Sequence, residues 1–255
     1  MKDLSLLTTA DLLPIKMIFF DADGVTKRKG TDFEKIEGKW VMKTWGLTEV
    51  MKSGLEKLRQ YYIVCITSGR SMSYLLDVYG TLVSNRFYLQ SEIGMFCYKD
   101  GKNCNTCDLT SEEISVLGEI KLGLKKVLAI EGVKGFEPKE RIITLHCRHE
   151  IPEVLAVVAE ADPRGLMHCW WNGEAYDILP KRVDKGVGEK WLCQSLGIKL
   201  SEVMVVGNGI NDQEQGQKVG ISVTTDPDHL VADFEVRGEE RGGDALVQQI
   251  LHLRA

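Results

Sequence analysis

The sequence predicts an α/β fold: a doubly wound, Rossmann-like parallel-sheet core with a smaller α+β module inserted into it. Three observations predict it. Short apolar runs at residues 15–20, 62–66, 87–89 and 203–206 alternate with longer helical patterns, as parallel strands joined by crossover helices do. Several of these runs end in polar residues, Asp21 and Asp23, Ser68, and Asn208, where open α/β sheets build their sites. Between residues 104 and 179 the order changes to helix, strand, strand, helix, strand, strand. That places an inserted module at 104–179 and leaves 1–103 and 180–255 to the core.

Bulk properties narrow the function classes. The chain has 255 residues, 44% hydrophobic and 27% charged, which is ordinary for a soluble globular protein. A formal charge of −5 argues against a nucleic-acid partner. No apolar run reaches the length of a membrane span, so no membrane partner is expected. The first 13 residues lack a basic start and a continuous apolar stretch, and read as a lead-in helix or arm rather than a signal peptide. Seven cysteines, an odd number, suggest reduced thiols and a cytoplasmic protein. Cys104 and Cys107 form a CxxC with no second pair, which reads as ordinary loop. A monomer or small homo-oligomer is expected.

Taken in order, residues 15–20 form a buried strand. Asp21 and Asp23 follow, and strand alternation sends them out together on one side. Like charges so close need a cation or a shared proton. An Asp-rich turn is the plain alternative. Residues 26–39 read as a polar loop over the site and 41–60 as a helix. The strand at 62–66 ends in Thr67-Ser68-Gly69-Arg70, a helix spans 71–79, and a third strand at 87–89 precedes Ser91 and Glu92. Glu92 is a candidate substrate contact.

In the insert, Thr110 and Glu113 make a capping box, with Ile114, Leu117, Leu124 and Leu128 at helical spacing behind it. Residues 136–139 and 141–148 read as antiparallel strands. Ile143, Leu145 and Cys147 share the face expected to pack on helices. Ile142, Thr144, His146 and Arg148 share the exposed face, open to a phosphate, a sugar or plain solvent. Pro152 suits the first turn of a helix. Residues 166–171 and 175–179 form a hairpin about Asn172-Gly173, with Trp170 and Trp171 on opposite faces. Asp184 is a helix N-cap and Lys185 stands in the first turn, against the macrodipole, which points to an anion facing it. A strand at 203–206 leads to Gly207-Asn208-Gly209-Ile210-Asn211-Asp212 and then a helix. Edge strands are expected at 219–223 and near Phe234, and a closing helix at 244–253.

Four stretches thus carry polar groups in a fixed order: DADGV at 21–25, ITSGR at 66–70, the lysine of VDKG at 183–186, and GNGIND at 207–212. In that order and placement they resemble the four motifs of the haloacid dehalogenase superfamily of phosphatases, and the insert resembles its type IIB cap. A closer resemblance is to trehalose-6-phosphate phosphatases and related sugar phosphatases. It is carried by SGR at 68–70, FEPK at 136–139, LHCR at 145–148 and YDILPKRVDKG at 176–186. The resemblance implies a Mg²⁺-dependent hydrolysis of a small sugar phosphate through an aspartyl-phosphate. Asp21 would be the nucleophile and Asp23 the general acid and base. Ser68 would hold phosphoryl oxygens and Lys185 would compensate charge. Asp21, Asp23, Asn208 and Asp212 would hold the metal. Glu137, Lys139, His146 and Arg148 would lie near the sugar, and Gly69, Arg70 and Asn211 would complete the substrate set. The chain departs from the family at Asn208, where an aspartate is usual, so one negative charge is lost. A phosphotransferase or mutase on the same site, and a non-catalytic sugar-phosphate binder, are the competing readings.

Overall fold

The computed structural model describes residues 1–37, 39–209, 212, 219–237 and 242–254. They divide into two compact units. Unit 1 comprises Met1–Lys29, Trp45–Cys107 and Asp184–Ala255, and unit 2 comprises Gly30–Thr44 and Asp108–Val183.

The strands, in chain order, are β1 (Lys2–Asp3), β2 (Met17–Asp21), β3 (Thr31–Ile36), β4 (Lys39–Thr44), β5 (Ile63–Thr67), β6 (Phe87–Ser91), β7 (Phe96–Lys99), β8 (Lys102–Asn105), β9 (Val133–Phe136), β10 (Ile143–Cys147), β11 (Met167–Trp171), β12 (Ala175–Pro180), β13 (Val203–Gly207), β14 (Ile221–Thr224) and β15 (Phe234–Glu235). The helices are α1 (Thr9–Leu12), α2 (Glu49–Tyr61), α3 (Met72–Tyr79), α4 (Ser111–Leu124), α5 (Pro152–Ala161), α6 (Lys185–Leu196) and α7 (Gly243–Arg254).

Unit 1 holds a nine-stranded sheet in the order β1-β15-β14-β13-β2-β5-β6-β7-β8. The strands from β1 to β6 in that order pair in parallel, and β7 and β8 add antiparallel at one end. All five residues of β2 are buried, as a strand covered on both faces requires. It pairs with β13 (Phe19 opposite Val205) and with β5 (Asp21 opposite Thr67), so Asp21 ends the central strand.

Unit 2 holds a four-stranded antiparallel sheet, β11-β12-β10-β9, with α4 and α5. Ile143, Leu145 and Cys147 pack in one cluster with Leu117, Ile120 and Val154 from the helices, the face that alternation assigns to them. The Thr110–Glu113 capping box forms, and Pro152 opens α5.

Four expectations need correction. Residues 26–39 are not simply a loop, nor does a helix begin at 41. Strands β3 and β4 form an antiparallel hairpin within unit 2, with Thr31 opposite Thr44. Helix α2 starts only at Glu49, where the Thr48 hydroxyl caps it by accepting from the Met51 N–H. Cys104 belongs to the β7–β8 hairpin of unit 1, and the long segment of unit 2 starts at Asp108 rather than at 104. Neither β14 nor β15 is an edge strand, because the N-terminal arm supplies β1 outside them. Finally, Thr144 and His146 are buried rather than exposed. Alternation also fails at the end of β10, where the register shifts between His146 and Cys147 and the strand stops before Arg148.

Candidate active site

In unit 1, β2, β5 and β13 deliver their carboxyl ends side by side, and α6 starts beside them. Asp184 caps α6 by accepting from the Val187 N–H at 3.1 Å, which sets Lys185 at the first helical position. Gly188 lets the helix press on the turn after β6: a Cβ there would lie 2.5 Å from the Gly94 carbonyl oxygen. The Gln90 amide also donates to the Gly188 carbonyl at 2.7 Å. Lys185 is completely buried and donates to Asp21 Oδ1 (2.7 Å) and Asp212 Oδ1 (2.6 Å). The anion that its unfavourable place on the dipole called for is this pair of carboxylates. Burial alone would lower the Lys185 pKa, but the two carboxylates outweigh it and raise it. Asp21 moves the other way for a carboxylate. Burial, opposed by Lys185 and reinforced by Asp212, pushes it up to about 6.

Asp212 is held by its own turn. Its Oδ2 accepts from the backbone N–H groups of Asn208 (2.9 Å) and Gly209 (3.0 Å). The Asn208 amide donates to the Asp23 carbonyl oxygen at 2.9 Å. Gly24 makes that contact feasible. Its φ is +85°, and a Cβ there would lie 2.0 Å from Asn208 Nδ2.

Strand β2 ends at Asp21 and the chain turns before Asp23, so strand alternation does not set the direction of the Asp23 side chain. Its carboxylate meets Lys27, and Arg70 donates to it through Nε (3.1 Å) and Nη2 (3.4 Å). Burial acts to raise its pKa, but the Arg70 and Lys27 charges prevail and leave it below the ordinary carboxylate value. Two carboxylates two residues apart are thus driven in opposite directions. Ser68 is buried, and its hydroxyl accepts from the Arg70 N–H at 3.2 Å. The loop it opens is pinned by a turn in which Glu92, Ile93 and Gly94 all have positive φ (48°, 59° and 79°). From that turn Glu92 N–H donates to the Arg70 carbonyl (2.9 Å) and Ile93 N–H to the Ser68 carbonyl (3.0 Å). Such strain persists only where the surroundings enforce it.

Asp21, Asp23, Ser68, Gly69, Arg70, Lys185, Asn208 and Asp212 therefore share one neighbourhood of unit 1. Asn211 lies outside the described residues. The donors there are all oxygens: the Asp21 and Asp212 carboxylates, the Asn208 amide and the Asp23 backbone carbonyl. That chemistry fits Mg²⁺, which takes one or two carboxylates and completes its shell with water and phosphate. No closed cage of three or more His, Cys, Asp or Glu side chains occurs among the described residues.

In unit 2 the predicted sugar-contacting residues form a buried network of their own. His146 Nε2 lies 3.1 Å from Glu137 Oε2, and Lys139 Nζ lies 3.6 Å from the same oxygen. Lys139 donates to the Thr144 hydroxyl, which donates to Asp177 Oδ1. The Asn172 amide holds Asp177 Oδ2 at 2.8 Å. Arg148 is exposed. Trp171 packs on the unit 2 core and meets Tyr176 with ring centroids 5.2 Å apart, while Trp170 meets His168 at 5.7 Å. The reading from sequence missed Lys27 and Asp177 as members of these clusters. For Lys27 a signal existed, its spacing of four residues from Asp23.

Comparison with known proteins bears on both units. Residues 159–226 match the family model of haloacid dehalogenase-like hydrolases. A phosphoglycolate phosphatase of Methanopyrus kandleri is 27% identical over 206 residues, 78% of this chain and 83% of that protein. A haloacid dehalogenase-like hydrolase from Bacteroides thetaiotaomicron superposes with a TM-score of 0.66 at 16% identity, over 92% of this chain and 99% of the other. The fold is that of the haloacid dehalogenase-like hydrolases. The trehalose-6-phosphate phosphatase of Aspergillus fumigatus shares it, with a TM-score of 0.60 at 17% identity and 97% of each chain covered. The likeness in fold covers more than nine-tenths of the chain, and the family-model match covers residues 159–226.

Proposed function

We propose that this protein is a phosphatase of the haloacid dehalogenase-like type that hydrolyses a small sugar phosphate through an aspartyl-phosphate. One observation carries the reading: a fully buried lysine joins the end of the central strand to Asp212, with Asp21 at that junction. The family-model match and the Methanopyrus relative support the phosphatase class. The sugar class rests on the FEPK, LHCR and YDILPKRVDKG stretches and on the likeness to trehalose-6-phosphate phosphatase.

Asp21 as nucleophile is supported by its place at the end of β2, with one carboxylate oxygen accepting from Lys185. As Asp21 attacks phosphorus, the ester bond breaks and Asp23, which takes up a proton when the anionic ester binds beside it, gives that proton to the departing sugar oxygen. In the second step water attacks the aspartyl-phosphate, Asp23 takes the water proton, and Asp21 is released. Ser68 and nearby backbone N–H groups hold phosphoryl oxygens, and Lys185 offsets charge on the transferring group and on Asp21 as it is released. Asp21, Asp212, Asn208 and the Asp23 carbonyl would hold a Mg²⁺ ion, which would supply positive charge against the phosphate. Lys139, Glu137 and His146 are the residues of unit 2 assigned to the sugar, on the FEPK and LHCR stretches.

The test is phosphate release across a panel of phosphorylated hexoses, disaccharides and glycolate, with Mg²⁺ present. Asp21→Asn is expected to lower kcat by about a thousandfold or more while the protein stays folded. Full turnover by that variant rejects the reading. Faster turnover of phosphoglycolate than of any sugar phosphate rejects the substrate class alone.

A further inference from the structure

Lys27 is a charged side chain at this site without a task so far. It lies in none of the four motifs, and it is completely buried. Burying an ammonium group costs several kcal/mol unless it is paired, so a chain needing only a turn here is better served by an apolar side chain. Instead the backbone folds back to aim it. Lys27 N–H donates to the Ala22 carbonyl (3.1 Å) and Gly24 N–H donates to the Lys27 carbonyl (2.8 Å). The ammonium thereby meets Asp23 Oδ1 from four residues down the chain. Arg70 closes from the other side, on Oδ2 at 3.1 Å and on Oδ1 at 3.4 Å. The Tyr74 ring backs both cations, with Lys27 Nζ at 5.5 Å and the Arg70 guanidinium at 5.4 Å from its centroid. Both oxygens of Asp23 are therefore held, from two directions, by groups that are themselves packed in place.

We propose that Lys27 is a positioning residue, fixing the Asp23 carboxyl group in the one orientation that serves proton transfer to and from the reacting oxygens. The inference rests on the role given to Asp23 above. In the first step the Asp23 proton goes to the ester oxygen as its bond to phosphorus breaks. In the second the same oxygen receives a proton from the attacking water. Lys27 touches neither reacting atom and acts only through Asp23.

That dependence gives a test that a merely structural lysine fails. The ratio kcat/KM reports the steps up to departure of the leaving group. p-Nitrophenolate departs without a proton, whereas a sugar alkoxide needs one. Lys27→Met is therefore expected to lower kcat/KM for the best sugar phosphate by about tenfold or more beyond its effect on p-nitrophenyl phosphate. In an Asp23→Asn background the same substitution is expected to change kcat/KM for either ester by less than about twofold, because the group it serves is gone. Circular dichroism verifies folding, and Lys27→Gln is read in the same way if the methionine variant does not fold. Equal losses on the two esters, or an undiminished loss in the Asp23→Asn background, overturn the positioning role while leaving the phosphatase reading intact. If wild type and Asp21→Asn release phosphate from p-nitrophenyl phosphate equally, both readings fall together.

Discussion

Each unit buries a lysine against two carboxylates, and the two clusters are assembled by different means. In unit 1, Lys185 reaches Asp21, 164 residues before it, and Asp212, 27 residues after it, at 2.7 and 2.6 Å. Three separate elements must arrive together for that to form. In unit 2, Lys139 lies 3.6 Å from Glu137, two residues away, and 3.8 Å from Asp177, with Thr144 as the bridge. Thr144 and Asp177 are simply opposite one another in the β10–β12 register. The first cluster is made by topology and the second by local strand pairing. The first also lacks slack, since both Asp212 oxygens are occupied by donors. In the second, a hydroxyl that can rotate mediates the contact.

The contrast has a direct energetic consequence. Removing the cation of the first cluster leaves two buried carboxylates facing each other, a loss of about 3–5 kcal/mol. Lys185→Met is therefore expected to unfold at much lower urea concentration than wild type. For Lys139→Met a loss of about 1–3 kcal/mol is expected, the scale of losing hydrogen bonds to charged groups. Equal shifts in the urea midpoint would break the distinction.

A smaller effect concerns Asn208. Its amide donates to the Asp23 carbonyl, and an aspartate there sets oxygen against oxygen. Asn208→Asp is expected to lose about 1 kcal/mol of stability in EDTA and to bind Mg²⁺ more tightly in calorimetry, because a charged donor replaces a neutral one. A variant as stable as wild type in EDTA with unchanged Mg²⁺ affinity would show that the position is indifferent to charge.

The smallest effect lies in unit 2. The Arg182 guanidinium grips Glu113 through Nε and Nη2, both at 2.6 Å. This bond, aided by the Thr110 N–H, lowers the Glu113 pKa below 4.5 against the raising effect of burial. A depressed carboxylate contributes stability that is present above its unfolded value and is lost as pH falls through the folded one. Glu113→Gln is expected to cost about 1 kcal/mol at pH 7. That difference should shrink below pH 4.5, as read by thermal melts across the range. A difference independent of pH would assign the loss to packing.

What could be read in the sequence follows from how each feature signals itself. Strand β2 is legible because burial on both faces leaves an uninterrupted apolar run, and Lys185 because a lysine on a helix N-terminus is locally unfavourable. The hairpins β3–β4 and β7–β8 were not legible: both carry lysines and polar residues that look like loop. The partners of Asp23 stayed hidden for a different reason. Alternation applies only within a strand, and this one ends two residues too early. In unit 2 the buried state of Thr144 and His146 was missed because a period of two tells which residues share a face and not what covers it.

Arg182 has one more consequence. Its Nη2 also donates to the Asp108 carbonyl, so the last residues of the 108–183 segment hold the first ones. The longer of the two segments that make up unit 2 thus has its way in and its way out fastened together, whereas Gly30–Thr44 joins the unit separately. A segment closed at its base in this way can vary in length and sequence between its ends without moving the strands that flank it.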